Sequence, residues 1–218
     1  KMLKKLLKIF NIKKIFFLII LIIPLQNLSL ASDIQKFKIE GMSIGDSALN
    51  YFSESQLENN EQGWHNYSYK EYSTSLMPGK NIYDWFLVSY KNDDDNFIIE
   101  ALIGGFEKMN YDIEECNNKI DSAALKMSGL FKNIKKNKKS KYELSSDASR
   151  SFPFTGKSTV TSLSFDFLDK SKIILACYDM DKKANQNDSS FTVPILSQND
   201  SFRIDVRSSA FVNYLEKK

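Results

Sequence analysis

The sequence predicts an α+β fold: a mainly antiparallel sheet, made of two groups of strands, packed against one long central helix and short flanking helices. Several short runs of apolar or alternating residues are bounded by turn compositions, as strands are. One segment between the two groups instead has the 3,4 spacing of apolar residues that a buried helix stripe needs. The elements do not alternate strand, helix, strand, so a parallel sheet of βαβ units is not expected.

The N-terminus has the three parts of a secretory signal peptide. Lys1 to Lys14 carries six lysines and no acidic residue, an apolar run follows from Ile15 to Ile23, and Ser29-Leu30-Ala31 puts small residues at the −3 and −1 positions of a cut. The apolar run spans only about 14 Å as a helix, well short of the roughly 30 Å of a hydrocarbon core. The sequence therefore predicts cleavage between Ala31 and Ser32, with an uncleaved anchor as the alternative. The protein is expected to be exported, to the periplasm or the medium.

Short elements are expected before the sheet. Phe37 to Gly41 has the pattern of a short strand, and Gly45-Asp46-Ser47 then opens a helix with Asp46 or Ser47 as its N-cap. Ser53-Glu54-Ser55-Gln56 has the small-residue-then-Gln form of a capping box and predicts a second helical start.

Three strand-like runs follow: Lys70 to Met77, Ile82 to Tyr90 and Phe97 to Gly104. Pro78-Gly79 separates the first two, and a turn with three consecutive aspartates, Asn92 to Asn96, separates the second from the third. Both connections are turn compositions, so the three runs are expected to form an antiparallel meander.

The long helix is predicted over Tyr111 to Asn133, with acidic residues in its first turn and lysines at its end, as the helix dipole favours. Its apolar positions share the spacing of one buried stripe. They are Ile113, Cys116, Ile120, Ala123, Ala124, Met127, Leu130 and Phe131. The lysine-rich segment after it, Lys132 to Lys141, is expected to be a loop and is the one candidate boundary inside the chain.

The second group of strands is predicted over Ser158 to Leu168, Lys172 to Met180 and Phe202 to Arg207. In the last of these, apolar and charged residues alternate strictly, which is typical of a half-buried strand. Ser208 or Ser209 then caps a closing helix that runs through Leu215. No interior linker is evident, so residues 32–218 are predicted to form a single α+β domain.

Cys116 and Cys177 are the whole cysteine complement. An even pair in an exported chain predicts a disulfide, with two unrelated buried thiols as the alternative. Cys116 is in phase with the helix stripe, and Cys177 shares a strand face with Ile173 and Leu175. Both are therefore expected to point into the layer between helix and sheet, with their Cα atoms about 4.4 to 6.8 Å apart.

Composition and charge exclude several classes of function. The chain has 30 basic and 27 acidic residues, and without the six lysines of the leader 24 basic residues remain, for a net charge of −3. A nucleic acid is therefore not an expected partner. One histidine and two cysteines are too few for a typical zinc site. We nominate no catalytic residue, no metal ligand and no cofactor.

Gly45-Asp46-Ser47 is similar to the first block of the GDS-type esterases, in which the serine is the nucleophile. That serine needs an imidazole as general base, which the family carries near the C-terminus. The one histidine of this chain is His65, near the front. Helix capping therefore explains Asp46 and Ser47 better than esterase chemistry does.

Two further segments offer candidate binding residues. The aromatic-rich stretch before the first strand could present a ligand-stacking surface, although a strand whose aromatic rings pack on neighbours is the preferred interpretation. Its candidate ligand-facing aromatics are Trp64, Tyr67, Tyr69 and Tyr72. Asp179-Met180-Asp181, with Asn185, Asn187 and Asp188, hints at a calcium loop. That segment departs from the EF-hand pattern at Lys183, Ala184 and Ser190, so a solvated loop is preferred.

The lysine cluster of Lys132 to Lys141 is the one strongly one-signed patch of the mature chain. Its members are Lys132, Lys135, Lys136, Lys138, Lys139 and Lys141. Weak contact with anionic lipid headgroups or another envelope polyanion is one interpretation, and a solubilising loop is the other.

Phe37 to Ser47, followed by Leu49 and Tyr51-Phe52, resembles the opening of an uncharacterised family of exported proteins from marine bacteria that has no assigned activity. The Cys116 helix and Ala176 to Asp179 agree with that resemblance. Gly41-Met42-Ser43 is more loosely similar to a Gly-Met-Ser/Thr step in small outer-membrane assembly proteins. Those proteins carry a lipobox cysteine, which this chain lacks.

These observations predict an exported, soluble, non-catalytic binding or accessory protein of the cell envelope. Its expected partner is an envelope protein or ligand, and no stable membrane span is expected after cleavage. The alternative is a carboxylate-dependent hydrolase of the glycosidase type, with two carboxylates about 5 to 9 Å apart that the sequence does not identify.

Overall fold

The computed structural model describes residues 33–61, 71–106, 112–143, 158–180 and 200–217. The predicted cleavage site at Ala31 and Ser32 lies outside these ranges. The strands are β1 (Tyr72–Pro78), β2 (Trp85–Lys91), β3 (Ile99–Phe106), β4 (Ile134–Lys136), β5 (Ser140–Glu143), β6 (Thr159–Phe167), β7 (Lys172–Asp179) and β8 (Ser201–Arg207). The helices are α1 (Glu54–Asn59), α2 (Ile113–Leu130) and α3 (Ser209–Glu216), with short 3-10 turns at Asp33–Lys36 and Ala48–Asn50.

The predicted α+β fold is confirmed. All eight strands pair antiparallel in one sheet of order β1-β2-β3-β8-β7-β6, and β4 and β5 both pair with the outer side of β6. Each group of three strands forms a meander, and the two groups meet where β3 pairs with β8. These elements belong to one compact unit, Asp33–Lys218.

One side of the sheet, the helix face, holds the main apolar core. Helix α2 packs across β6 and β7 there, and its buried stripe consists of Cys116, Ile120, Ala124 and Met127. The other half of this face, over β1 to β3, is covered by the segment before the sheet, through buried residues such as Ile39, Met42 and Leu57. The predicted stripe is wrong at Leu130, which is 69% exposed, because the stripe of Ile120, Ala124 and Met127 continues through Phe131, which is buried, and Leu130 lies to one side of it.

The segment before the sheet differs from its prediction at two points. Phe37 to Gly41 is not a strand, because the chain reverses at Glu40 and Gly41, which have φ of 51° and 88° and leave only an isolated bridge between Ile39 and Met42. Ser47 is the N-cap of the turn at Ala48–Asn50, so the predicted helix is a short 3-10 turn. The capping box that opens α1 is confirmed, with Ser53 and Gln56 exchanging hydrogen bonds.

The lysine-rich segment is not a loop, contrary to expectation. It forms β4 and β5, which together make an interrupted edge strand along β6. The pairing shifts by one residue between Lys136↔Phe165 and Ser140↔Ser162. Asn137 fills the break, because its amide nitrogen donates to Ser164 Oγ at 3.0 Å and Asp166 Oδ2 at 2.8 Å.

The predicted disulfide is present. Cys116 of α2 and Cys177 of β7 are bonded, and their Cα atoms are 6.0 Å apart. Both residues are buried on the helix face, so the bond joins the start of α2 to the second group of strands. Among the described helices, none is long and apolar enough to cross a lipid bilayer.

Candidate functional site

The side of the sheet opposite α2, which we call the second face, carries the alternate residues of the same strands. Of the described elements only α3 packs on it, at the corner formed by β1 and β3. There Tyr72 contacts Phe211 edge-on, with ring centroids 4.9 Å apart, and Tyr214 at 5.1 Å. Ser208 caps α3 by accepting from the backbone N–H of Phe211.

Tyr72 was a candidate ligand-facing aromatic, and the structure contradicts that role. It is 2% exposed, because α3 covers it. Trp64, Tyr67 and Tyr69, the other candidates, lie outside the described residues, as does His65.

Arg203 occupies the middle of the second face, held between two aromatic rings. Its Cζ lies 3.8 Å from the ring centroid of Tyr178 and 5.3 Å from that of Trp85. The strand register creates this arrangement, since Arg203 of β8 pairs with Gly105 of β3, which in turn pairs with Trp85 of β2. Its Nε donates to Ser201 Oγ at 2.9 Å. A guanidinium stacked in this way keeps a fixed plane, which suits it to bind carboxylate or phosphate oxygens.

Gly105 makes the close approach of Trp85 possible. A Cβ atom at this position would overlap the indole ring. Trp85 is 5% exposed and packs with Leu87, Leu76 and Ile103 in a small apolar cluster. Its indole Nε1 is buried and has no hydrogen-bond partner in the described structure, a state that native proteins usually avoid.

A second arginine, Arg207, lies on the same face of β8, with Asp205 between it and Arg203. Arg207 Nε donates to both carboxylate oxygens of Asp205, at 3.0 and 2.9 Å. Burial raises the pKa of the Tyr142 phenol, and the charges of Tyr178, Arg207 and Asp205 also act on it. Tyr142 of edge strand β5 pairs with Val160, which pairs with Tyr178, so Tyr142 lies on the same face of the sheet, and it is 49% exposed.

The second face thus brings together Trp85, Tyr142, Tyr178, Arg203, Asp205 and Arg207, which we call the aromatic–arginine cluster. Strict alternation along β8 placed Arg203, Asp205 and Arg207 on one strand face, but the sequence does not show that the same face carries Trp85 and Tyr178. That information is in the register of four strands. Aromatic rings can stack on sugar rings or other planar groups, while the arginines supply donors for an acidic group.

The motifs considered in the sequence have structural roles where they are described. Ser47 caps a turn, and its hydroxyl donates to the carbonyl of Asn96 at 2.6 Å. Burial raises the pKa of Asp94, but hydrogen bonds from the backbone N–H of Ile98 and Asn96 outweigh it and hold that pKa below its ordinary value. Asp181 and the asparagines after it lie outside the described residues. Within the described ranges no group of three or more His, Cys, Asp and Glu side chains is placed to hold a metal ion.

A small cavity lies between the start of α2 and the ends of β7 and β8. Its volume is about 90 Å³, and it is lined by Ile113, Cys116, Tyr178, Asp179, Asp200 and Ser201. This is room for a few water molecules and too little for a substrate.

No protein-family model matches the chain, and neither the curated proteins nor the solved structures contain a significant match.

Proposed function

We propose that this protein is an exported, non-catalytic binding protein of the cell envelope, and that its ligand or partner binds the second face. The observation that supports this proposal is the stacking of Arg203 on Tyr178 and Trp85, on the same face of the sheet as Arg207 and Tyr142. Interfaces and binding sites are enriched in these residue types, because a stacked arginine or tyrosine loses little conformational entropy on binding.

Export is supported by two independent features. The leader has the composition of a signal peptide, and the one cysteine pair is joined in a disulfide. Disulfides persist in oxidising compartments such as the periplasm or the medium. Mass analysis of the exported protein should find Ser32 as its first residue, and an intact leader would contradict the proposal.

The chemistry of the aromatic–arginine cluster indicates the kind of ligand. The stacked guanidinium of Arg203 favours an acidic group, whereas Arg207 is already paired with Asp205, and the rings favour a flat or sugar-like surface next to it. An envelope glycan or protein surface with exposed carboxylates has both properties.

The experiment compares two exposed tyrosines on opposite sides of the molecule. Tyr142→Ala removes a ring at the aromatic–arginine cluster, and Tyr51→Ala removes one from the segment that covers the helix face. Both purified variants and the wild type are used to capture partners from envelope extracts. Capture that is lost with Tyr142→Ala and kept with Tyr51→Ala is the expected result. Equal capture by both variants, or turnover on a broad panel of hydrolase substrates, would contradict the proposal.

A further inference from the structure

The C-terminal end of α2 meets the hairpin between β6 and β7 at one corner of the molecule. The ring of Phe131, just after α2, contacts that of Phe167 edge-on, with centroids 5.2 Å apart. Ile134 of β4 pairs with the same Phe167. The residues that flank these contacts, Leu130 and Leu168, therefore lie at the same corner.

Both leucines are exposed to solvent, which is unusual for side chains of this size next to a packed core. Leu168 is 87% exposed and Leu130 is 69% exposed. The β6–β7 hairpin holds Leu168 in a defined turn, in which the backbone N–H of Lys170 donates to the carbonyl of Phe167 and that of Phe167 donates to the carbonyl of Ser171. The leucines thus project from a packed scaffold, so that little conformational entropy would be lost when they are buried.

Four lysines belong to the segments that meet at this corner, although Lys135 and Lys136, as neighbours in β4, point to opposite faces of the sheet. Lys132 follows α2, Lys135 and Lys136 lie in β4, and Lys170 closes the hairpin, and all four are exposed. Lys139, in contrast, is bound to Asp121 of α2 at 2.7 Å and takes no part in this group. We call Leu130, Leu168, Lys132, Lys135, Lys136 and Lys170 the basic corner.

We propose that the basic corner docks the protein on a lipid bilayer that contains anionic phospholipids. Exposed leucines and exposed lysines on the same corner combine the two signals that peripheral attachment needs, apolar insertion and attraction to anionic headgroups. Each lysine near such a surface strengthens binding about fivefold at physiological salt.

The acidic residues near the basic corner cancel only part of its charge. Asp169 accepts hydrogen bonds from the backbone N–H and hydroxyl of Ser171 and keeps its negative charge, which offsets one of the four lysines. Asp166 lies 3.7 Å from Lys172, which is not one of the four, in an ion pair. The three aspartates of the β2–β3 turn lie at the same end of the sheet but beyond β8 and β7. Three strand spacings separate that turn from β6, roughly 14 Å, which exceeds the Debye length of about 8 Å at physiological salt.

The inference goes beyond the proposed function, because the basic corner and the aromatic–arginine cluster are different surfaces. A protein that binds at the corner keeps the second face available for a ligand. Failure of one proposal therefore leaves the other unaffected.

Co-sedimentation with vesicles tests the proposal on protein recovered from the exported fraction. One set of vesicles contains phosphatidylcholine with phosphatidylglycerol, and the other contains phosphatidylcholine alone. The wild type is expected to bind only the anionic vesicles. Two variants break the basic corner: Leu130→Ser with Leu168→Ser, and Lys132→Glu with Lys170→Glu. Each pair of substitutions should weaken binding by about tenfold or more.

The controls are taken from the opposite end of the sheet. Ile82, in the β1–β2 turn, is 73% exposed, and Lys38 lies nearby, since Glu40 accepts from the backbone N–H of Ile82. Ile82→Ser and Lys38→Glu should leave vesicle binding unchanged. Thermal unfolding confirms that every variant is folded.

Three results would overturn the proposal. The wild type could fail to sediment with anionic vesicles. The corner variants could bind as well as the controls, which would place the membrane contact elsewhere in the protein, for example in a leader that has not been cleaved. The leucine variant could bind vesicles and soluble heparin as the wild type does, while only the lysine variant loses both. That last result would identify the corner as a site for soluble polyanions.

Discussion

The two faces of the sheet are made from the same strands, yet they differ in every property that matters for function. Strand β8 contributes Phe202, Ile204 and Val206 to the helix face, and Arg203, Asp205 and Arg207 to the second face. On the helix face, α2 and the segment before the sheet bury a continuous apolar core. On the second face, α3 covers one corner, and rings and charged groups occupy the middle. The period of two along a strand thus separates the residues of the main core from a second set that includes the aromatic–arginine cluster.

Two adjacent glycines show the same division at atomic scale. Gly104 faces the helix side, where a Cβ atom would overlap the ring of Tyr83, and Gly105 faces the other side, where it would overlap Trp85. Each glycine lets an aromatic ring lie against the backbone of β3. Tyr83 contacts Phe106 within the core, while Trp85 forms one side of the arginine site.

The largest difference between the faces is expected from two adjacent isoleucines of β7. Ile173 is fully buried on the helix face, and Ile174 is half-buried on the second face. Ile173→Ala should lower the free energy of unfolding by about 2 to 5 kcal/mol, because it leaves a cavity in the core. Ile174→Ala should cost about 1 kcal/mol, typical of less buried positions. Urea unfolding measures both, and equal losses would contradict the division.

The disulfide should stabilise the helix face specifically. Cys116 and Cys177 are 61 residues apart, so the bond closes a long loop. Replacing either residue by serine should lower the free energy of unfolding by about 2 to 4 kcal/mol. The double variant should be little worse than either single one, since all three lose the same bond. Two free thiols in exported protein, detected by mass spectrometry without reduction, would contradict the assignment.

The glycine pair allows the two faces to be disturbed separately. Gly104→Ala and Gly105→Ala should each destabilise the protein by about 1 to 3 kcal/mol, because a ring must move. Only Gly105→Ala should alter the fluorescence of Trp85, measured in a Trp64→Phe background. A larger fluorescence change in Gly104→Ala than in Gly105→Ala would contradict the assignment of Tyr83 to Gly104 and of Trp85 to Gly105.

One tyrosine on each face should make the protein sensitive to high pH. Burial, aided by the charge of Glu40, raises the pKa of Tyr83 to about 12, and burial, aided by Glu100 and Glu71, raises that of Tyr72 to about 12. Unfolding returns both pKa values to near 10, so the unfolded chain ionises first. Their contribution to stability is therefore complete below pH 10 and is lost as the pH rises from about 10 to 12. Tyr83→Phe and Tyr72→Phe should each make the alkaline decline shallower, as denaturant titrations at several pH values would show.

Much of the fold was predictable because it depends on local periodicity. The alternation in β8, the stripe of α2 and the phases of Cys116 and Cys177 all come from side-chain direction along one element. The chain reversal at Glu40 and Gly41 was not predicted, because the sequence pattern there is typical of a strand, whereas both residues have positive φ and end the extended backbone. The lysines of β4 and β5 led to the prediction of a loop instead of an edge strand. Lysine is nevertheless common on edge strands, where its charge opposes pairing with another chain.

The candidate site was less predictable for a different reason. Arg203, Trp85 and Tyr178 come from three strands, and only the pairing register shows that they meet. For Tyr72, packing on neighbours was preferred over a ligand-facing role, but the neighbour that covers it, α3, comes from the last residues of the chain and was not identified. Periodicity assigns a residue to a face, and it does not say which other element covers that face.

The most direct test of the division between the faces is site-specific photo-crosslinking in the cells that export the protein. A photoreactive phenylalanine derivative is placed at Tyr142, beside the aromatic–arginine cluster, or at Leu125, which is 76% exposed on the outer side of α2. Irradiation should give an adduct from position 142 and none from position 125. The reverse pattern would place the binding surface on the helix side and contradict the account.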